Sequence, residues 1–376
     1  MALPYRDAIH DWTFNIALPW WAANGVDREH GGYVEQVTSD GRDAGMVFKR
    51  TRVTARQIYV YSHAHMLGFN SGLDVARHGV DYLLSKTWIG AEAGFARRLT
   101  REGAMLDPTP DLYDHAFVLF ALAWHHRASG DTTSRDWMHR TLDYVEQHMR
   151  VKDGEGFFHE LPPKGWRRQN PHMHLTEACL AAFEATGEAR FSTLAKEIVG
   201  TFTERFFDLE SQTLAEYFTD ELARAPGDDG RIVEPGHQFE WAWILNSCRK
   251  LLGLPLEAQI RALASFAEKH GVDPATKITF NTVRDDGAPI DRASRTWPNT
   301  ERIKAAIALR ELDGVDPAPV IQSSAAILFE RYLGRTLPGT WVDVIDANGK
   351  PVSGNAPAST FYHLFLAFAE VLRVND

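Results

Sequence analysis

The stretch from Gly94 to Phe158 reads as one complete unit of a repeat. It opens on Gly94-Phe95-Ala96, runs through two helical segments, Asp111 to Ser129 (DLYDHAFVLFALAWHHRAS) and Ser134 to Met149 (SRDWMHRTLDYVEQHM), and closes on Gly156-Phe157-Phe158. The short end segments carry the alternation and turn residues of β-hairpins. The same signal recurs at Gly32-Tyr33-Val34, Leu214-Ala215-Glu216-Tyr217, Ile278-Thr279-Phe280 and Gly339-Thr340-Trp341-Val342. From Gly32 onward the successive steps are 62, 62, 58, 64 and 61 residues. Each interval holds two amphipathic runs at the helical period. With Tyr5 to Ala22 before the first hairpin and Thr360 to Arg373 after the last, about twelve helices are expected.

A helix pair carrying one hairpin cannot bury both its faces, so such units must stack on one another. An open stack needs polar ends, yet the first helix (Trp12, Phe14, Ile16) and the last (Phe361, Leu364, Phe365, Phe368) are richly apolar. Closing the array into a ring buries both. The expected fold is all-α: an (α/α)6 barrel forming one catalytic domain over residues 1–376, with short β-hairpins on one rim.

Composition sets the outer limits. With 44% hydrophobic residues, 11 Trp and 21 Phe among 376 residues, the chain can bury a large core, which excludes long disorder. A net charge of −10 opposes binding to a polyanionic nucleic-acid backbone. Cys179 and Cys248 lie far apart, with no thiolate zinc pattern, and read as buried thiols in a reducing compartment. Neither a leader segment at Met1 to Asp7 nor a membrane-length apolar run is evident. The expectation is a cytoplasmic protein, monomer or homodimer, with no nucleic-acid or membrane partner.

In each repeat the helix after the hairpin carries a polar or aromatic residue near its start: Arg56, His115, His174, His237, Trp297 with Glu301, and His363, at steps of 59, 59, 63, 60 and 66. Equivalent repeats would bring these residues to one level of the inner ring, converging on its cavity. His115 divides evenly between a structural and a functional reading, and His63, His65, His125 and His126 read as structural. His237 and Glu240 are i,i+3 neighbours, as are His174 and Glu177, and a carboxylate beside an imidazole can hold its tautomer. Glu240 is therefore expected to orient His237. No nucleophile elbow, phosphate loop or dinucleotide fingerprint is present. Several His with an Arg, a Glu and many Trp suit a neutral polyhydroxylated ligand, and a histidine pair can move the proton beside a sugar carbonyl without metal or cofactor.

The segments Thr54-Ala55-Arg56-Gln57-Ile58-Tyr59-Val60-Tyr61-Ser62, Asn170-Pro171-His172-Met173-His174-Leu175-Thr176-Glu177-Ala178, Pro235-Gly236-His237-Gln238-Phe239-Glu240-Trp241, Trp297-Pro298-Asn299-Thr300-Glu301 and Tyr362-His363 together resemble the N-acylglucosamine 2-epimerase superfamily. The resemblance spans nearly the whole chain and implies an (α/α)6 barrel. His-x-Phe-Glu-Trp and Thr-Ala-Arg are similar to the aldose–ketose isomerase branch, and Trp243, where a sulfonate-binding member would carry Arg, points to the mannose isomerase type. Carried over residue by residue, the resemblance implies His237 and His363 as the catalytic pair. It implies Arg56, Tyr113, Asn170, His174, Glu240, Trp297 and Glu301 as sugar-binding or supporting positions. The implied reaction interconverts D-mannose and D-fructose, with D-lyxose and D-xylulose as further substrates. Ring opening is assisted by His237, His363 transfers the proton from C2 to C1 through a cis-enediol, and Arg56 and His174 stabilise charge on the substrate oxygens.

Three other readings stay open. A 2-epimerase acting on mannose or N-acylglucosamine would use the same histidines. An inverting glycosidase would need two carboxylates roughly 6.5–9.5 Å apart, with Asp111, Asp114, Glu240 and Glu301 available. A sugar-binding ring would bind without turnover. The two His-x-x-Glu pairs only superficially match di-iron bundles, so no metal is expected.

Overall fold

The structure, a computed structural model, describes residues 3–152, 154–352 and 354–374. Met1 and Ala2, the start of the leader reading, lie outside the described residues. Six inner helices, α2 (Thr51–Met66), α4 (Leu112–Ser129), α6 (Asn170–Thr186), α8 (Pro235–Leu252), α10 (Thr296–Asp313) and α12 (Phe361–Arg373), alternate with six outer ones. The outer set is α1 (6–24), α3 (72–87), α5 (132–149), α7 (189–206), α9 (Glu257–His270) and α11 (318–333). This is the (α/α)6 barrel that the repeat predicts.

The inner helices are buried on nearly every face, as a helix apolar all round must be; in α4 every residue from Asp114 to Ala123 is buried. Their ends are set by local chemistry. Asp111 caps α4 by accepting from the backbone N–H groups of Tyr113 (2.8 Å) and Asp114 (3.3 Å). Pro171 and Pro235 start α6 and α8. Four inner helices stop at a glycine in the left-handed region: Gly130, Gly187, Gly253 and Gly314.

Consecutive inner helices pack side by side, and α12 packs on α2 to close the ring. Arg6 fastens the closure from α1, donating to the carbonyls of Val371 (3.1 Å), Leu372 (2.9 Å) and Val374 (3.2 Å). Gln36–Thr38 adds a second clasp by pairing antiparallel with Asn355–Pro357. The apolar first and last helices therefore cover each other.

Five of the six expected hairpins pair across the same short span: Tyr33 with Val26, Phe95 with Trp88, Phe157 with Arg150, Leu214 with Phe207 and Thr279 with Val272. The sixth, at Gly339 to Val342, forms no ladder; Val342 N–H instead donates to the Tyr332 carbonyl at 3.0 Å. Four hairpins are clamped from the start of the next inner helix. His115 Nε2 accepts from Phe95 N–H and His172 Nε2 from Phe157 N–H, both at 3.0 Å. Gln238 Oε1 accepts from Leu214 N–H (3.2 Å), and Asn299 Oδ1 from Thr279 N–H (3.0 Å). His115, expected at one level with the cup residues, takes part in this clamping instead, in keeping with its structural reading.

The barrel is plugged in the middle and hollow at both ends. At the hairpin end lies a polar cup of about 220 Å3. At the other end a cavity of about 540 Å3 is lined by apolar side chains including Phe14, Phe120, Trp124 and Trp243.

Candidate active site

The cup collects side chains from the first two turns of all six inner helices. Arg56, Tyr113, Asn170, His174, His237, Glu240, Trp297 and His363 line it. Glu301, expected among the sugar contacts, does not; it lies beneath His363, fully buried. Rim segments add Glu234, Arg295, Asp343 and Thr360, none of which the helical phase predicts.

His237 and His363 both pack on Trp297, with ring centroids 5.1 and 5.4 Å from the indole. The indole can lie this close to α8 because position 236 is glycine: a Cβ there would meet Trp297 Cζ3 at 2.4 Å. Arg56 reaches over from α2. Its guanidinium donates to Tyr113 Oη (2.5 Å) and the Ser359 carbonyl (3.1 Å), and sits 4.3 Å from the Phe117 ring centre.

Each site histidine has its Nδ1 held by a carboxylate, so that Nε2 is the working nitrogen. His363 Nδ1 donates to Glu301 at 2.8 Å, and His174 Nδ1 donates to Glu177 at 3.1 Å. Tyr362 Oη also donates to Glu177, at 2.7 Å. His237 Nδ1 is held at 3.0 Å by Glu216, a rim residue, rather than by Glu240 as the i,i+3 spacing predicts. Glu240 makes no hydrogen bond through either carboxylate oxygen among the described residues; its nearest charge is Lys304 Nζ at 3.9 Å. An i,i+3 relation puts two side chains on one face, but here His237 leans toward the hairpin while Glu240 points a turn deeper.

These surroundings split the two histidines that pack on Trp297. Burial alone would depress His237, but the carboxylates Glu216 and Glu234 outweigh it and push its pKa up to about 10. His363 moves the other way. Burial, reinforced by the positive charge of Arg56 and Lys304, holds it well below the ordinary imidazole value. His174 is pushed down to about 4 by burial despite Glu177. With Nδ1 held by Glu177, a neutral His174 presents Nε2 as a hydrogen-bond acceptor. Burial beside Glu301 holds the Glu240 carboxyl well above the usual carboxylate range, which favours its neutral form.

Three groups bring histidine and carboxylate ligand atoms within 4.8 Å of one another: His174–Glu177–Glu240, Glu216–Glu234–His237 and Glu240–Glu301–His363. In the last, the Lys304 ammonium sits 2.6 Å from Glu301 and supplies the positive charge a cation would bring. Trp243 faces the opposite cavity and donates to Glu370 at 3.0 Å, so its identity does not report on the polar cup. His63 and His125 are held by Tyr59 (3.1 Å) and Ser134 (2.8 Å), in keeping with structural roles.

Of the residues that sequence reasoning missed, Glu216 had a signal: an acid embedded in the hairpin segment Leu214-Ala215-Glu216-Tyr217, where it is buried. Lys304 had a fainter one, its i,i+3 spacing from Glu301. Asp343 and Arg295 had none.

A closed ring of helix pairs with two carboxylate-held imidazoles over one small polar cup defines an isomerase-type enzyme. The chain belongs to the N-acylglucosamine 2-epimerase (GlcNAc 2-epimerase) family, which it matches over residues 31–367. It is 36% identical to a mannose-6-phosphate isomerase of Rhizobium meliloti (strain 1021) over 375 residues, covering 96% of this chain and 95% of that one. It is 26% identical to a D-mannose isomerase of Thermobifida fusca, covering 84% and 83% of the two chains. The solved structure of cellobiose 2-epimerase from Bacillus thermoamylovorans B4167 superimposes with a TM-score of 0.90 at 18% identity, over 98% of this chain and 99% of that one, and so shares the fold.

Proposed function

We propose that this protein is an aldose–ketose isomerase that interconverts D-mannose and D-fructose, with His237 and His363 as the catalytic pair. The observation that carries the reading is the geometry of two imidazoles packed on the Trp297 indole, each with Nδ1 held by a carboxylate, His237 among Glu216 and Glu234 and His363 near Lys304 and Arg56. One is held protonated and serves as acid; the other is held neutral and serves as base. His237 assists opening of the pyranose ring. Nε2 of His363 then takes the C2 proton while His237 protonates O1, giving the cis-enediol. His363 returns its proton to C1 as the O2 hydroxyl gives one back to His237, and the product is the ketose. Asn170 Nδ2 lies 3.1 Å from His237 Nε2, and turning that amide lets its unpartnered Oδ1 accept from the imidazolium. Arg56 meets the developing oxyanion, His174 accepts from a sugar hydroxyl, and Trp297 offers its face to the sugar ring.

A 2-epimerase would use the same pair, the neutral imidazole removing the C2 proton and the protonated one delivering a proton to the opposite face. The choice of isomerisation is therefore supported by the likeness to relatives named D-mannose isomerase and not by the pair itself. The rim sets the acids Glu234 and Asp343 beside the cation Arg295, so the choice of an uncharged sugar rests on the likeness to relatives named D-mannose isomerase and not on rim charge. No helix among the described residues is long and apolar enough to cross a membrane. The free, buried Cys179 and Cys248 support a cytoplasmic setting, and the contribution of every inner helix to the cup supports one catalytic unit over residues 1–376.

Incubation with mannose, mannose 6-phosphate, lyxose, glucose and N-acetylglucosamine in D2O, followed by NMR, tests the reading. Fructose forming from mannose before any glucose is expected. Glucose appearing first makes the enzyme an epimerase, and a strong preference for mannose 6-phosphate overturns the neutral-sugar assignment while keeping the isomerase.

A further inference from the structure

Lys304 is fully buried on α10, on the floor beneath the cup, where the proposed isomerase chemistry does not reach it. Its ammonium lies 2.6 Å from Glu301 Oε2, 3.9 Å from Glu240 Oε1 and 4.2 Å from the centre of the Trp243 ring. Burying an ion pair carries a desolvation penalty that often cancels its Coulomb attraction, so stability alone is a weak reason to keep a lysine here. The other Glu301 oxygen, Oε1, accepts from His363 Nδ1 at 2.8 Å. Lys304, Glu301 and His363 therefore form one chain of contacts running from the plug to the proposed base.

The His237 side of the cup is built differently. Glu216, which holds His237, takes its other hydrogen bonds from the neutral Gln169 amide (2.9 Å) and the backbone N–H of Glu234 (3.4 Å). A second carboxylate, Glu234, stands 3.7 Å from His237 Nδ1. Both histidines thus have a carboxylate partner, but only the partner of His363 is neutralised by a cation.

Resting on the isomerase reading, we propose that Lys304 is a positioning residue that assigns the base role to His363: by neutralising Glu301 it leaves that carboxylate able to orient His363 but unable to keep it protonated. The groups that face His363 are Arg56 on α2, His174 and Glu177 on α6, Glu240 on α8, and Glu301 and Lys304 on α10. Arg56 also lowers His363 but spends its hydrogen bonds on Tyr113 and Ser359, and Glu177 is occupied by His174 and Tyr362, so Lys304, 2.6 Å from Glu301, is the cation that acts on the carboxylate holding the imidazole.

The test compares Lys304→Met, Lys304→Gln and the double variant Glu301→Gln/Lys304→Met. His363 is titrated by NMR in the free protein, alongside the pH profile of mannose turnover. In the single variants the His363 titration and the acid limb of kcat are expected to rise together by about one to three pH units, the range for one nearby charge, with kcat recovering at higher pH and KM little changed. In the double variant both charges are gone, and the titration returns to or below the wild-type position. A folded single variant with wild-type His363 titration overturns the proposal, as does a rise that the double variant fails to reverse. Where neither single variant folds, the double variant decides: a titration above wild type overturns the proposal and one at or below it supports it. The free-protein titration needs no substrate, so it stands even if mannose is not turned over.

Discussion

His237 and His363 share one indole as their neighbour yet are driven to opposite protonation states, His237 up to about 10 and His363 well below the ordinary value. Between those limits the acid is charged and the base is free. The kcat/KM profile for mannose is therefore expected to be flat across neutral pH and to fall on an alkaline limb near pH 10. Glu216→Gln removes the carboxylate that holds His237 at 3.0 Å and should bring that limb down by about one to three units. An alkaline limb unmoved in Glu216→Gln removes His237 from the role of acid.

The same shift has a sign for stability. His237 is raised in the folded protein above its unfolded value, so its stabilising contribution is complete below about pH 6.5 and is lost as the pH climbs through about 10. Thermal unfolding should accordingly show a larger loss of Tm for Glu216→Gln at pH 7 than at pH 10.5. Equal losses at both values would mean that Glu216 does not hold a charged imidazole.

Two histidines that look alike in the sequence are expected to fail differently. His115→Ala leaves the buried Phe95 N–H without its acceptor, which costs about 1–3 kcal/mol of stability. It touches nothing in the cup, so the kcat of the folded variant should match wild type. His174→Ala should lower kcat/KM well over tenfold while shifting Tm less. Denaturant unfolding paired with turnover separates the two, and a large kcat loss in His115→Ala would return it to the site.

The contrast between these histidines shows where the sequence was legible. The hairpin period revealed the ring because every repeat buries the same faces. The phase of the inner helices then exposed Arg56, His174, His237, Trp297 and His363, all within the first two turns and facing inward. Phase failed where two residues separate roles: Tyr113 and His115 lie roughly 200° apart around one helix, so one enters the cup and the other clamps a hairpin. It failed again at Glu301, whose carboxylate is taken up by His363 and Lys304 and does not line the cup. Glu216 and Asp343 come from rim segments whose approach to the site depends on closure of the ring, which no local spacing encodes.

Gly236→Ala probes the packing that brings His237 and Trp297 together. The added methyl would meet the indole at 2.4 Å, well inside contact distance, so Trp297 must move. Since the indole supports both imidazoles, kcat and KM for mannose should worsen together, while the far-end residues and overall helicity are untouched. Wild-type kinetics in a folded Gly236→Ala protein would show that the indole can shift without consequence.

Metal dependence is the remaining expectation that the geometry sharpens. Of the three clusters with ligand-like spacing, the one beneath His363 already holds the Lys304 ammonium against Glu301, and the one around Glu177 is tied up by Tyr362 and His174. The third, Glu216–Glu234–His237, would need the imidazole to release the proton that Glu216 holds on it before a cation could bind. Exhaustive chelation should therefore leave turnover of mannose unchanged, and adding a divalent cation should inhibit at high pH, where His237 deprotonates, rather than activate. Loss of activity on chelation, restored by one metal ion per chain, would move the acid role from His237 to a bound cation and overturn the proton-transfer scheme.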